Sequence, residues 1–191
     1  MLHLVCTLQV MVAQIRELET EIAQALRAHP DGEIFQSFFH TPDAVICAAT
    51  LLGEIGDSRP RYSHRDAIAA DGGQAPVAVE SGKRKNAQFR WACNKRLRNA
   101  LGVLAQSSTR WNAWAADRYA SARARGHGHR RALRTLGRAW SRIIWRCWQS
   151  HTPYDPQRHT GLQQHIAVTI PTPSGPRPDL PATEQMAGTS L

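Results

Sequence analysis

Residues 71–100 read DGGQAPVAVESGKRKNAQFRWACNKRLRNA, and this stretch decides how the rest of the chain is understood. Gly72, Gly73 and Pro76 stand too close together for a long helix, so Ser81 is expected on a constrained loop. A short extended piece fits at 77–79, and Gly82 leaves room beside the serine for another group. Lys83, Arg84, Lys85, Arg90, Lys95, Arg96 and Arg98 follow, a charge suited to a polyphosphate partner. A hydroxyl at the edge of such a field could attack a phosphodiester. Ser-Gly-Lys is also ordinary turn chemistry, and a basic run is also an ordinary solvated face.

Downstream, the pattern from about 86 to 107 is helical. Phe89, Cys93, Leu97, Ala100 and Leu104 share one stripe. Trp91, Lys95 and Arg98 fall on another face, an aromatic with two cations that suits backbone binding and base stacking. Trp91 covering the edge of the core is the equal alternative. A second helix is expected over 111–125, stopped by Gly126, and a third over 129–150. Leu133, Leu136, Trp140, Ile143, Ile144 and Cys147 mark the buried side of the third. Arg130, Arg131, Arg134, Arg138 and Arg142 lie along it, and a subset including Arg134 and Arg138 can track a nucleic-acid backbone. His127 and His129 read as a solvated turn rather than a metal site.

Upstream, Leu4, Leu8, Met11, Ile15, Leu18, Ile22 and Ala25 repeat at 4-3-4-3-4-3 spacing, a heptad seam over residues 4–28. His29-Pro30-Asp31-Gly32 ends that helix. Residues 33–57 read as one apolar helical segment with Ala44, Ile46, Cys47, Leu51 and Ile55 buried. Ser63 is the expected N-cap of a short helix through Ala70. The last thirty residues, rich in Pro, Thr, Ser and Gly, bury too little to fold. The fold class is therefore mainly α, in three parts. A coiled-coil-like helix spans 1–29, a compact helical domain 30–158, and a disordered tail 159–191.

The net charge of +9 conceals a strong asymmetry. Between Gly82 and Arg146 there are seventeen Lys or Arg and one acid, Asp117, which points to nucleic acid. No apolar run is long enough to span a membrane, and the N-terminus does not read as a signal peptide. Four scattered cysteines without a CxxC pair read as reduced core residues of a cytoplasmic protein, with no metal site.

Several spaced blocks also carry a resemblance. They are Ala49-Thr50-Leu51-Leu52-Gly53-Glu54-Ile55-Gly56-Asp57, Gly73-Gln74-Ala75-Pro76 with Ser81-Gly82-Lys83, Phe89-Arg90, Asn94-Lys95-Arg96-Leu97-Arg98-Asn99-Ala100-Leu101 and Thr152-Pro153-Tyr154-Asp155-Pro156. In that order, over roughly half the chain, they resemble the C-terminal domain of the insertion-sequence transposases of family one-ten. The resemblance implies a serine that joins DNA covalently, which falls on Ser81, and DNA as partner. It implies an N-terminal acidic domain that holds divalent metal ions, a structured bridge RNA that selects sites, and a helical coil that pairs subunits, here residues 4–28. The family's Gly-x-Gly hairpin is replaced by His40-Thr41-Pro42-Asp43.

This chain shows no acidic metal cluster of its own, so a C-terminal part of a transposase is expected, unable alone to recombine DNA and needing no cofactor of its own. Ser81 is the candidate nucleophile. Lys83, Arg84, Lys85, Arg90, Trp91, Lys95, Arg98, Arg134 and Arg138 are the candidate nucleic-acid contacts. The alternatives are a non-enzymatic nucleic-acid-binding helical module and a helical interaction protein whose basic face is idle.

Overall fold

The computed structural model describes residues 2–41, 44–81 and 84–159; the expected disorder of 160–191 lies outside the described residues, as do the side chains of 2 and 80–87. The chain divides at Pro156, and the description below concerns the unit before that point.

Helix formation after the serine stretch begins only at Asn94. Its side-chain oxygen accepts from the backbone N–H groups of Arg96 and Leu97 at 3.0 and 3.1 Å, which caps helix α5, Lys95–Trp111. The expected helical start near residue 86 is therefore corrected. Residues 84–88 form strand β2, paired antiparallel with β1, Val77–Ser81. Trp91 stands in the connection between β2 and α5, so the expected helical face joining Trp91 to Lys95 and Arg98 does not form. The short extended piece expected at 77–79 is strand β1, which runs on to Ser81 because 84–88 supplies its hydrogen-bonding partners. The backbone of Ser81 thus ends a strand instead of lying in a loop.

The remaining elements are α1 (Leu2–Ala28), α2 (Gly32–Gln36), α3 (Val45–Ile55), a 3₁₀ turn at Arg59–Tyr62, α4 (Ala67–Asp71), α6 (Ala113–Ala124) and α7 (His129–Gln149). The fold is mainly α. The segment expected as one helix over 33–57 is two, α2 and α3, separated by a turn. Ser63 ends the 3₁₀ turn instead of capping a helix, and Asp66 occupies the position before α4.

Helix α5 is the central strut, packed against α3, α6 and α7. Its apolar stripe, Leu97, Leu101, Leu104 and Ala105, is fully buried. Trp140 of α7 sits at the middle of an aromatic cluster, with ring centroids 6.5 Å from Phe38, 5.4 Å from Trp114 and 5.0 Å from Tyr154. Its indole N–H donates to Ser108 Oγ at 2.9 Å. Tyr154, from the Thr-Pro-Tyr-Asp-Pro block, accepts a hydrogen bond from Asn112 at 2.7 Å, which ties the end of the unit to the α5–α6 corner. On α7 the buried face is Ala132, Leu136, Gly137, Trp140, Ser141, Ile144 and Trp148. Leu133, Ile143 and Cys147 are only half-buried, and Ile46 of α3 is exposed, because α3 turns Ala48, Leu51, Leu52 and Ile55 inward.

Helix α1 is different. Residues 3–22 are exposed along the whole run, and only Leu26 near its end is buried. The heptad residues Leu4, Leu8, Met11, Ile15, Leu18 and Ile22 have no covering element among the described residues.

Candidate nucleic-acid interface

The β1–β2 hairpin is held at its root by close backbone approach. Gly73 has φ of 63°, and a Cβ there would lie 2.8 Å from the Cys93 sulfur. A Cβ on Gly137 of α7 would lie 2.8 Å from Gln74 Oε1, so α7 lets the root settle directly on its backbone. Gln74 is buried there and donates to the Arg98 carbonyl at 3.4 Å. Asp71 links the same region to α5: its carbonyl accepts from Asn94 N–H at 2.8 Å, and its carboxylate accepts from Tyr62 Oη at 2.7 Å.

From that root the register runs Val77 opposite Gln88 to Ser81 opposite Arg84. The backbone of Ser81 therefore ends β1, at the far end of the ribbon, with Glu80 opposite Lys85. Gly82 and Lys83 lie outside the described residues, as do the side chains of Ser81, Arg84 and Lys85.

Between the root and the first half of α7 lies a cleft of about 370 Å³. One wall is Ala75, Pro76 and Phe89; the others carry Arg90, His127, Arg131, Arg134, Thr135 and Arg138. Positions 131, 134, 135 and 138 recur at the spacing that places side chains on one helical face. Arg134 stacks over Phe89 at 4.9 Å from the ring centroid, and Arg98 of α5 does so at 5.4 Å. Burial holds the Arg134 guanidinium below its ordinary pKa, and neighbouring Arg131 and Arg130 add to that. Loss of solvent lowers the His127 pKa, with Arg131 and Arg125 acting in the same direction. Arg138 is partly neutralised by Asp66, 3.4 Å away, which also takes Arg142 at 2.8 Å. The Arg142 hydrogen bond is the main reason the Asp66 carboxyl lies below the usual aspartate range.

The candidate contacts thus divide. Arg90, Arg134 and Arg138 converge on the cleft, and Arg98 joins them through Phe89. Trp91 is 79% exposed and meets Phe89 edge-on at 4.9 Å, so it is a surface ring rather than a cover for the core. Lys95 is exposed in the first turn of α5, where no acid balances it against the helix dipole. Sequence reasoning missed Gln74, His127, Arg131 and Thr135 as members of one site. The i, i+3, i+4, i+7 pattern on α7 was the available signal; contact with residues fifty positions earlier was not. Among the described residues no cluster of His, Cys, Asp and Glu is arranged to hold a metal, and no helix is long and apolar enough to cross a membrane.

Comparison with known proteins finds the chain similar to transposases. The model of the IS116/IS110/IS902 transposase family matches residues 44–120. The chain is also similar to the mini-circle candidate transposase for IS117 of Streptomyces coelicolor, with 30% identity over 142 residues. That alignment takes in 74% of this chain and 34% of the relative, so the chain spans about a third of the relative's length.

Proposed function

We propose that this chain is the DNA-engaging part of a transposase, in which the basic face of α5, α7 and the hairpin holds DNA and Ser81 attacks a phosphodiester. The supporting observation is the register that ends β1 at Ser81, opposite Arg84, on a ribbon rooted in the arginine cleft. The hydroxyl supplies the nucleophile; Arg84, Lys85 and Arg90 supply positive charge for the crowded phosphorus. A divalent metal and the base that deprotonates Ser81 come from an acidic domain, as the family resemblance implies, and a structured guide RNA is a further partner on the same ground. If six to ten phosphates are contacted, affinity for DNA falls by about 10³–10⁵ between 50 and 200 mM salt, measured by fluorescence anisotropy. A salt-insensitive or undetectable interaction rejects the reading.

The same reading gives α1 a role in pairing two copies. Its exposed heptad seam fits a second copy of itself. Sedimentation equilibrium at micromolar concentration is expected to give a dimer, and Ile15→Glu to give a monomer. A monomeric unaltered chain removes this part of the proposal.

A further inference from the structure

Two of the residues that line the cleft beneath the hairpin each carry a buried polar atom without a hydrogen-bond partner. Arg90 Nε and His127 Nδ1 are both shut off from solvent and both lack a hydrogen-bond partner. Arg90, Arg131 and Arg134 crowd the same space, and among the described residues the ion pair offered to the cleft's cations is that of Asp66 with Arg138. The site is short of negative charge.

Its shape narrows the ligand. A volume of about 370 Å³ is far larger than one carboxylate or phosphate needs, and lies at the low end of the range for small-ligand sites. Guanidinium forks match phosphate oxygens two at a time. Ala75 and Pro76 add apolar lining against which a planar base can lie. A base stacked and paired within a duplex has no free face to lay against that lining. We infer that this cleft takes a single nucleotide of an unpaired DNA strand, with its phosphate on Arg90, Arg131 and Arg134 and its base against Pro76. The inference rests on the nucleic-acid reading above and adds the strand state and the anchoring point. His127 and Thr135 also line the cleft, and the Thr135 hydroxyl donates to the Arg131 carbonyl at 3.0 Å.

The test titrates the whole chain with thymidine monophosphate, following the phosphorus resonance and the base methyl proton resonance, with inorganic phosphate as comparator for the first and thymidine for the second. Binding of a short labelled single strand is measured in parallel by anisotropy. The paired change Arg131→Ala, Arg134→Ala is expected to weaken both nucleotide and single strand by about 10- to 100-fold. Arg110→Ala with Arg146→Ala removes the same charge from exposed sites outside the cleft, and is expected to cost less than about threefold. Should the alanine pair fail to fold by circular dichroism, Arg131→Lys with Arg134→Lys keeps the charge, loses the forks, and is expected to show a smaller loss of the same kind. Equal losses from the cleft pair and the exposed pair would mean a diffuse field and overturn the inference. So would inorganic phosphate binding as tightly as the nucleotide, which would make this an anion site only. Normal strand binding without nucleotide binding sinks the cleft alone. Nucleotide binding without strand binding sinks the wider DNA reading and leaves the cleft a free-nucleotide site.

Discussion

Ser81→Ala is expected to abolish covalent protein–DNA adducts while leaving DNA affinity within about twofold. The affinity term follows from charge: salt-dependent binding comes from Lys and Arg, and the substitution removes none. The adduct term follows from chemistry. A phosphodiester accepts a serine oxygen only if that oxygen is present, and no neighbouring hydroxyl in the 77–88 hairpin can replace it. The experiment joins the chain to an acidic metal-binding domain, supplies a divalent metal, and resolves adducts on a denaturing gel. Adducts that persist in the variant assign the nucleophile elsewhere. Strong binding with no adducts from either protein favours the non-enzymatic module.

Asp31→Ala is expected to destabilise the fold by about 3–5 kcal/mol, enough to remove much of a typical domain's stability. Asp31 is 3% exposed, in the turn that follows α1. Its carboxylate accepts from Arg59 at 2.8 Å and from the Trp148 indole N–H at 3.0 Å, and His151 lies 3.4 Å away. Three distant parts of the chain therefore meet on two oxygens. Alanine leaves the partly buried Arg59 guanidinium without its charged partner, keeping the Trp148 carbonyl at 3.3 Å. It also leaves the buried Trp148 indole N–H without an acceptor, and that group must find water at the cost of the packing around its ring. Chemical denaturation monitored by tryptophan fluorescence reads the change. A loss below about 1 kcal/mol would show that solvent takes over the carboxylate's role.

Much of this architecture was legible in the residues, and the exceptions have physical causes. The heptad seam of α1, the Gly126 stop and the long basic α7 follow from periodicity and from glycine, both local signals. The hairpin was hidden because its two strands are short, and β2 reads Arg-Lys-Asn-Ala-Gln, with no alternation of apolar residues to announce it. What makes it a strand is pairing with 77–81, a non-local fact. The aspartate at 31 gave no sign of its importance either: in sequence it is part of a helix-breaking turn, and its partners lie 28 and 117 residues away. The same holds for the cleft. Charge density was visible from composition, but the cleft between residues 73–76 and α7 exists only once the chain is folded, with the Gln74 side chain against Gly137.

That resting place has a mechanical side. A two-stranded ribbon is barely stable alone in water, so its direction is dictated by whatever grips its base. From Val77 to Ser81 is about 13 Å along an extended strand. Tilting such an arm by about 10° displaces its end by about 2 Å, while in-line attack asks the reacting atoms to lie about 3–3.5 Å apart. Gly73 and Gly137 are therefore the pivot of a lever. A methyl group added at either one, far from the serine, would be felt chiefly as an error of aim.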